Sequence, residues 1–332
     1  MLVVCLLLLV QAGATGAHPP VAVSPSASPM QCQSLFRVGV VTDVTGASST
    51  GGAAVDRGAR AAVARIGCAR GELISSSRPS RYEADLEAAA GHGDDLVIGT
   101  SFLLADAIMQ AAARRPSTHF LLVDPIVMPP SKPNLRVLTF RYDQSAFMAG
   151  ALAALLSKSG TVGGVYGPGT GVDQQRRLGF ERGAAFVLPG IRVLGAYQPA
   201  DPGKPYQDPS WGAAQARAFI GQHADVIFGA GGAAGSGALL GADKTGAWCI
   251  AADLPATDSR PGCLVAGTTT SIDFAVEAEI VRSSSSWAAG IARPGFADGA
   301  VGIETFGLEP AIQRRLAEIQ KLVSDGQLPS RQ

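Results

Sequence analysis

Charge is scarce in this 332-residue chain: Asp, Glu, Lys and Arg together make up 16% of it, against about 25% in an average soluble protein. The 27 basic and 27 acidic residues cancel. Without an excess of positive charge there is no field to hold a phosphate backbone, which argues against nucleic acid as a partner. Histidine is nearly as rare, with four residues. His92, His119 and His223 sit beside strand starts and His18 lies near the N-terminus, so a Ser-His-Asp triad has little material. A Gly-x-Ser-x-Gly elbow is missing too. No Cys or His pair has metal-ligand spacing, and Gly167-Pro168-Gly169-Thr170-Gly171 lacks the Gly-Lys-Ser/Thr of a nucleotide-hydrolysing loop. These absences point away from an enzyme and from any cofactor. With aromatics at 6%, the core must be built from Ala, Val, Leu and Ile, which suits parallel sheets covered on both faces.

Apolar residues reach 47% and glycines number 41, so the chain is too apolar for disorder and rich in turns and close backbone approaches. Residues 1–10 form an apolar run followed by the small residues Ala12 to Ala17, the pattern of a cleaved secretory signal over 1–17. The run is short for a bilayer, which needs about 20 apolar residues. No Lys or Arg precedes it, which leaves the true start open upstream; an uncleaved anchor or a buried helix is the alternative. The Pro/Ser-rich stretch that follows reads, with its flanks, as a tether over 18–34. Neither Cys5 nor Cys32 follows the residues a lipid-attachment signal requires, so a lipoprotein anchor is in doubt while export to the cell exterior or surface is expected. Four cysteines remain after cleavage. The sequence-local pairing is Cys32 with Cys68 and Cys249 with Cys263, and buried free thiols are the alternative.

From Leu35 onward short apolar runs alternate with helical stretches. Strands are expected at 36–42, 72–75, 95–99, 119–123, 136–140, 161–166, 192–197, 225–228, 248–251 and 264–268. Helices are expected at 53–66, 81–90, 103–115, 144–158, 173–187, 211–222 and 310–324. This alternation predicts an α/β fold with parallel sheets flanked by helices, and so many strands in this length predict two lobes. The stretch 144–158 is apolar nearly all round and predicts a buried or interlobe helix. Ligands of open α/β sheets bind beyond the carboxyl ends of the strands. Asp43, Asp124 and Asp253 close three separate strands there, in a chain that uses charge sparingly, and Phe102 follows another. A turn or helix cap is the plain alternative for each aspartate. Gly229 to Ala234 fits G-x-G-x-x-A after a strand, with Asp253 about 20 residues on, which imitates a dinucleotide fingerprint; a tight glycine-rich turn is the alternative. Ser283–Ser286 followed by Trp287 has no functional reading.

The segments 36–46 (FRVGVVTDVTG), 98–108 (IGTSFLLADAI), 120–124 (FLLVD), 147–160 (FMAGALAALLSKSG) and 225–237 (DVIFGAGGAAGSG) resemble the basic membrane lipoprotein family. These are PnrA-like substrate-binding proteins of ABC transporters, several of which bind purine nucleosides. The resemblance runs from about Phe36 to Pro329. It implies a monomer of two Rossmann-like lobes joined by three crossovers, a small-molecule solute in the cleft, and a membrane permease complex as partner. The lobes are expected over 35–157 with about 268–305, and over 158–267 with about 306–332. The resemblance makes Asp43 and Asp253 sugar-binding carboxylates, since a carboxylate can accept from two adjacent ribose hydroxyls. Asp124 resembles the carboxylate that contacts the base, Tyr206 the aromatic stacked on it, and Gly232 the glycine whose backbone approaches the sugar. The family's Asp-Lys-Ser-Phe-Asn-Gln loop is replaced by Ser48-Ser49-Thr50-Gly51-Gly52-Ala53, which removes a second stacking aromatic and a base-reading asparagine. Its ribose-contacting lysine aligns with Thr270. The expected ligand is nucleoside-like or another polyhydroxylated molecule; a sensor domain that signals to a partner and an NAD-dependent enzyme are the alternatives.

Overall fold

The computed structural model describes residues 34–199, 206–254 and 260–327. The expected signal, nearly all of the tether and Cys32 therefore lie outside the described residues.

Two six-stranded sheets carry the chain. The first contains β1 (Phe36–Thr42), β2 (Ala69–Ser75), β3 (Leu96–Gly99), β4 (His119–Val123), β5 (Leu135–Leu138) and β11 (Gly290–Ala292), in the spatial order β11-β5-β4-β3-β1-β2. All its pairings are parallel. The second contains β6 (Thr161–Tyr166), β7 (Arg192–Tyr197), β8 (Val226–Gly229), β9 (Trp248–Ala251), β10 (Leu264–Thr270) and β12 (Val301–Thr305), in the order β12-β10-β9-β8-β6-β7. Only the β10–β12 pair is antiparallel. Strands such as β3, β6 and β8 are buried at every position, as expected where helices cover both faces.

Helices α1 (Thr50–Ile66), α2 (Tyr82–Gly91) and α3 (Ala105–Arg114) follow strands of the first sheet. Helices α4 (Tyr142–Leu156), α5 (Gly171–Val187), α6 (Pro209–Ile220) and α7 (Gly232–Ala242) belong to the second lobe. After β10 the chain returns to the first lobe, where α8 (Ile272–Ser283) lies along α1. The part-buried pair of Arg136 on β5 and Glu279 on α8, with bonds of 2.9 and 3.2 Å, fixes that return. The chain then crosses to β12 and ends in α9 (Pro310–Ser324), packed on α4. It crosses between lobes three times, near 139–141, at 271 and over 293–300.

Two boundaries depart from expectation. Helix α4, placed by sequence in the first lobe, packs on α5 and the second sheet, and β12 pairs with β10 rather than joining the first sheet. Glycine explains the first departure. A Cβ on Gly150 of α4 would stand 1.9 Å from the Phe180 carbonyl oxygen of α5, and one on Gly183 would stand 1.9 Å from that of Phe147. Two helices whose backbones touch this closely bury α4 over its middle, from Ser145 to Ala154, which is why that stretch has no polar face.

Cys249 and Cys263 are disulfide-bonded, joining the starts of β9 and β10. The serine run ends α8, where the Ser283, Ser284 and Ser285 hydroxyls donate to the carbonyls of Glu279, Val281 and Arg282. Trp287 stacks on His119 at 4.0 Å and donates to the Pro133 carbonyl. Both are structural roles.

Candidate functional site

A cavity of about 490 Å³ opens between the lobes. Its wall takes Phe102 after β3 and Asp124 after β4 from the first lobe. From the second lobe come Gly231 and Gly232 after β8, Asp253 after β9 and Thr270 at the end of β10. The cavity thus lies at the carboxyl ends of both sheets, where parallel strands leave their loops free to meet a ligand.

Backbone conformation singles out the same place. Five described non-glycine residues have positive φ, and three of them, Asp124 (50°), Tyr206 (62°) and Asp253 (61°), line the cavity. A side chain in this left-handed region costs energy, and such residues gather where function holds them. Gly231, at φ 93°, has a different reason. A Cβ there would stand 2.0 Å from the Gly167 backbone nitrogen, so no other residue fits between β6 and the start of α7.

Asp253 is central to the second-lobe wall. Its backbone N–H donates to the Thr268 hydroxyl (3.1 Å), which fixes the turn. One carboxylate oxygen accepts from the Thr270 hydroxyl at 3.1 Å and the other from the Arg176 guanidinium. The Asp253 side chain is 46% exposed, whereas that of Arg176 is 12% exposed. The carboxylate therefore faces the cavity while its partner is embedded beneath it. Arg176 also lies over the Tyr142 ring, 4.7 Å from its centroid. Burial works against the guanidinium's charge, but Asp253 and the other nearby acidic groups outweigh it and hold its pKa above the ordinary value.

Asp124 accepts from the Tyr142 hydroxyl at 2.7 Å, a bond that links the two lobes because Tyr142 opens α4. Burial pushes the Asp124 carboxyl above its usual range, and the charge of Asp253 adds to that; the Tyr142 bond and Arg176 oppose it. Tyr206 presents its ring to the cavity. Its hydroxyl is held by Thr170 (2.8 Å) and donates to the buried Asp173 (3.1 Å), itself part of the capping box of α5.

Of the residues expected from sequence, Phe102, Asp124, Tyr206, Gly232, Asp253 and Thr270 line the cavity together. Asp43, Ser48 and Ser49 do not. The Asp43 carboxylate is taken up locally by the Thr45 N–H (2.7 Å) and by the hydroxyls of Thr45 and Ser101. Ser49 caps α1 by accepting from the Gly52 N–H, and exposed Ser48 turns back to the Thr45 carbonyl. Thr50, next in the loop, reaches the cavity instead. Sequence reasoning missed Tyr142, Asp173 and Arg176, because all three sit within helices and not at strand ends. The sequence offered little signal for Arg176, since Arg176-Arg177 is one of three adjacent arginine pairs, with Arg114-Arg115 and Arg314-Arg315.

The dinucleotide-like turn has the strand and helix it needs, but its helix end is occupied by protein. The Ala233 N–H donates to the Tyr206 carbonyl at 2.8 Å, Gly232 packs against the same residue, and Asp253 is paired with Arg176. A pyrophosphate would have to displace them.

A family model described as "ABC transporter substrate-binding protein PnrA-like" matches residues 41–332. Basic membrane protein B of Borrelia garinii subsp. bavariensis is 27% identical over 257 residues, covering 74% of this chain and 73% of the relative. The ABC transporter nucleoside-binding protein BmpA of Lactococcus lactis subsp. cremoris is 29% identical over 164 residues, 49% of this chain and 45% of the relative. Among solved structures, an ABC transporter solute-binding protein from Aeropyrum pernix K1 superposes with a TM-score of 0.67 at 19% identity, covering 89% of this chain and 94% of the other.

Proposed function

We infer a ligand class from one premise: the chain belongs to the PnrA-like family of ABC transporter substrate-binding proteins. The ligand is a nucleoside-like or other polyhydroxylated small molecule, captured between the lobes of an exported monomer and passed to a membrane permease for import. The observation that carries this reading is the half-exposed Asp253 carboxylate in the interlobe cavity. Each of its oxygens accepts one bond from the described residues and has a second lone pair for a ligand hydroxyl, so two adjacent hydroxyls can be held at once. Such charge-assisted bonds are the stronger kind. The rings of Phe102 and Tyr206 supply flat apolar surface from opposite lobes. The cavity volume is in the range of small-molecule sites, about 300–1,000 Å³. The nucleoside-binding relative supports the nucleoside form of the reading.

The test is a thermal-shift panel of adenosine, inosine, ribose and myo-inositol on the purified protein. A ligand that binds only the folded state at about 100 times its Kd adds about 2.7 kcal/mol of stability. At least one panel member is expected to raise the Tm by several degrees. No shift with any member at millimolar concentration would remove the proposed ligand class.

A further inference from the structure

We propose that Arg176 is the specificity-determining residue of this cleft: it occupies one edge of Asp253, so that the carboxylate receives an uncharged diol and the cleft refuses an ammonium-bearing sugar. The inference rests on the reading of the cavity as a polyol site and adds what that reading leaves open, the charge of the ligand at Asp253.

Three carboxylates line the cavity, Asp124, Asp173 and Asp253. Taken alone they would make it a cation trap. Among the described lining residues Arg176 is the sole cation, and the three acids are not equivalent toward it. Asp124 accepts from the Tyr142 hydroxyl at 2.7 Å; on the buried Asp173, the Thr170 and Tyr206 hydroxyls lie 2.9 and 3.1 Å from one carboxylate oxygen, and the other is enclosed without a partner among the described residues. Asp253 alone of the three is half-exposed, and Arg176 is its ion-pair partner. An ammonium placed on Asp253 would stand beside a guanidinium already bonded to the same carboxylate, and like charges at that range repel. A hydroxyl meets no such penalty.

The guanidinium is also held where it is. It lies 4.7 Å from the Tyr142 ring centroid, and Tyr142 is in turn fixed by its bond to Asp124. A planar, delocalised cation suits that stack, and lysine would not reproduce it. Among the described residues Arg176 donates to Asp253 alone, and a guanidinium has five N–H donors. The remaining donors can serve an acceptor atom next to the bound diol, such as a ring oxygen. Thr270 stands on the other side of Asp253, its hydroxyl 3.1 Å from the second carboxylate oxygen, so a longer cationic side chain at 270 would reach the same group.

The experiment is calorimetric titration of adenosine, myo-inositol and glucosamine, the last an ammonium at neutral pH. It uses the wild type, Arg176→Met, and the double variant Arg176→Met with Thr270→Lys, each first checked by circular dichroism. Wild type is expected to bind a neutral polyol and exclude glucosamine. Arg176→Met is expected to lose about thirtyfold or more for the neutral polyol and to admit glucosamine, and the double variant to reverse both changes. If Arg176→Met does not fold, Arg176→Lys serves: it should weaken the polyol and still exclude glucosamine. An Arg176→Met protein that binds polyols like wild type, or one that still excludes glucosamine, overturns the proposal and leaves the cleft reading standing, as does an Arg176→Lys protein that admits glucosamine. A wild type that binds no neutral polyol removes the cleft reading and this proposal with it.

Discussion

At the scale of single residues, Asp253 meets two requirements at once: each carboxylate oxygen is anchored by a protein partner, and each keeps a lone pair for a ligand. Thr270 and Arg176 meet the first while leaving the second open. Asp253→Asn keeps the shape and loses the charge. Because hydrogen bonds to charged groups contribute about 1.5–3 kcal/mol, two of them weakened should lower ligand affinity by about a hundredfold, read by calorimetry. Tyr206 gives a contrasting expectation. Its hydroxyl is spent on Thr170 and Asp173, so Tyr206→Phe should leave affinity within a few-fold, whereas Tyr206→Ala removes the ring and about 1–3 kcal/mol of stacking. Loss of binding in Tyr206→Phe would show that the hydroxyl reaches the ligand. Much of this site was legible because strand-end residues announce themselves: Asp124 and Asp253 follow apolar runs. Asp43 follows one too, but whether a strand-end carboxylate faces a ligand or caps its own turn depends on partners such as Ser101, far along the chain. Arg176 was hidden for the opposite reason, since a helix interior marks no face as the ligand's.

At the scale of elements, ten of the twelve described strands were legible because runs such as β1, β4, β6, β7 and β9 are compact, apolar and bounded by turn residues, whereas the short β11 and β12 were not expected. Helix α7 was not, because Gly232, Gly235, Gly237 and Gly241 leave it without a periodic pattern. The lobe of α4 was not legible either, as it is set by a contact with α5 that no local pattern reports. That contact is testable. Gly150→Ala puts a methyl carbon where 1.9 Å is available and must push the helices apart. Overpacking of this kind costs about 1–3 kcal/mol, measurable as a lower denaturant midpoint. The Cys249–Cys263 bridge spans 14 residues. A loop of about 15 residues is worth about 3 kcal/mol in the chain-entropy model, so reduction should lower the Tm by several degrees.

A third element carries a pH signature. Asp94 is buried ahead of β3, and burial, with the charge of neighbouring Glu72 and Asp95 opposed by His92, pushes its carboxyl up to about 7. Above the ordinary carboxylate range and up to about 7, the folded protein holds a proton that the unfolded chain has released. Stability from this group therefore falls as pH rises through that window. Asp94→Asn should raise the Tm by roughly 2–4 °C near pH 8 and leave it nearly unchanged near pH 4. An equal gain at both values would contradict the assignment.

At the scale of the whole molecule, two mostly parallel sheets meet at their carboxyl ends, and three chain crossings join the lobes. The first crossing is spanned by the bond from Tyr142 to Asp124, so the crossing and the ligand wall share a contact. A protein so sparing of charge concentrates part of it in this cleft, where one guanidinium faces three carboxylates. Capture between the lobes is the central claim, and a crystal structure with the tightest-binding member of the polyol panel tests it most directly. The account predicts density in the interlobe cavity, with two adjacent hydroxyls within hydrogen-bond distance of the Asp253 carboxylate. A ligand bound outside that cavity, or inside it with no contact to Asp253, would contradict it.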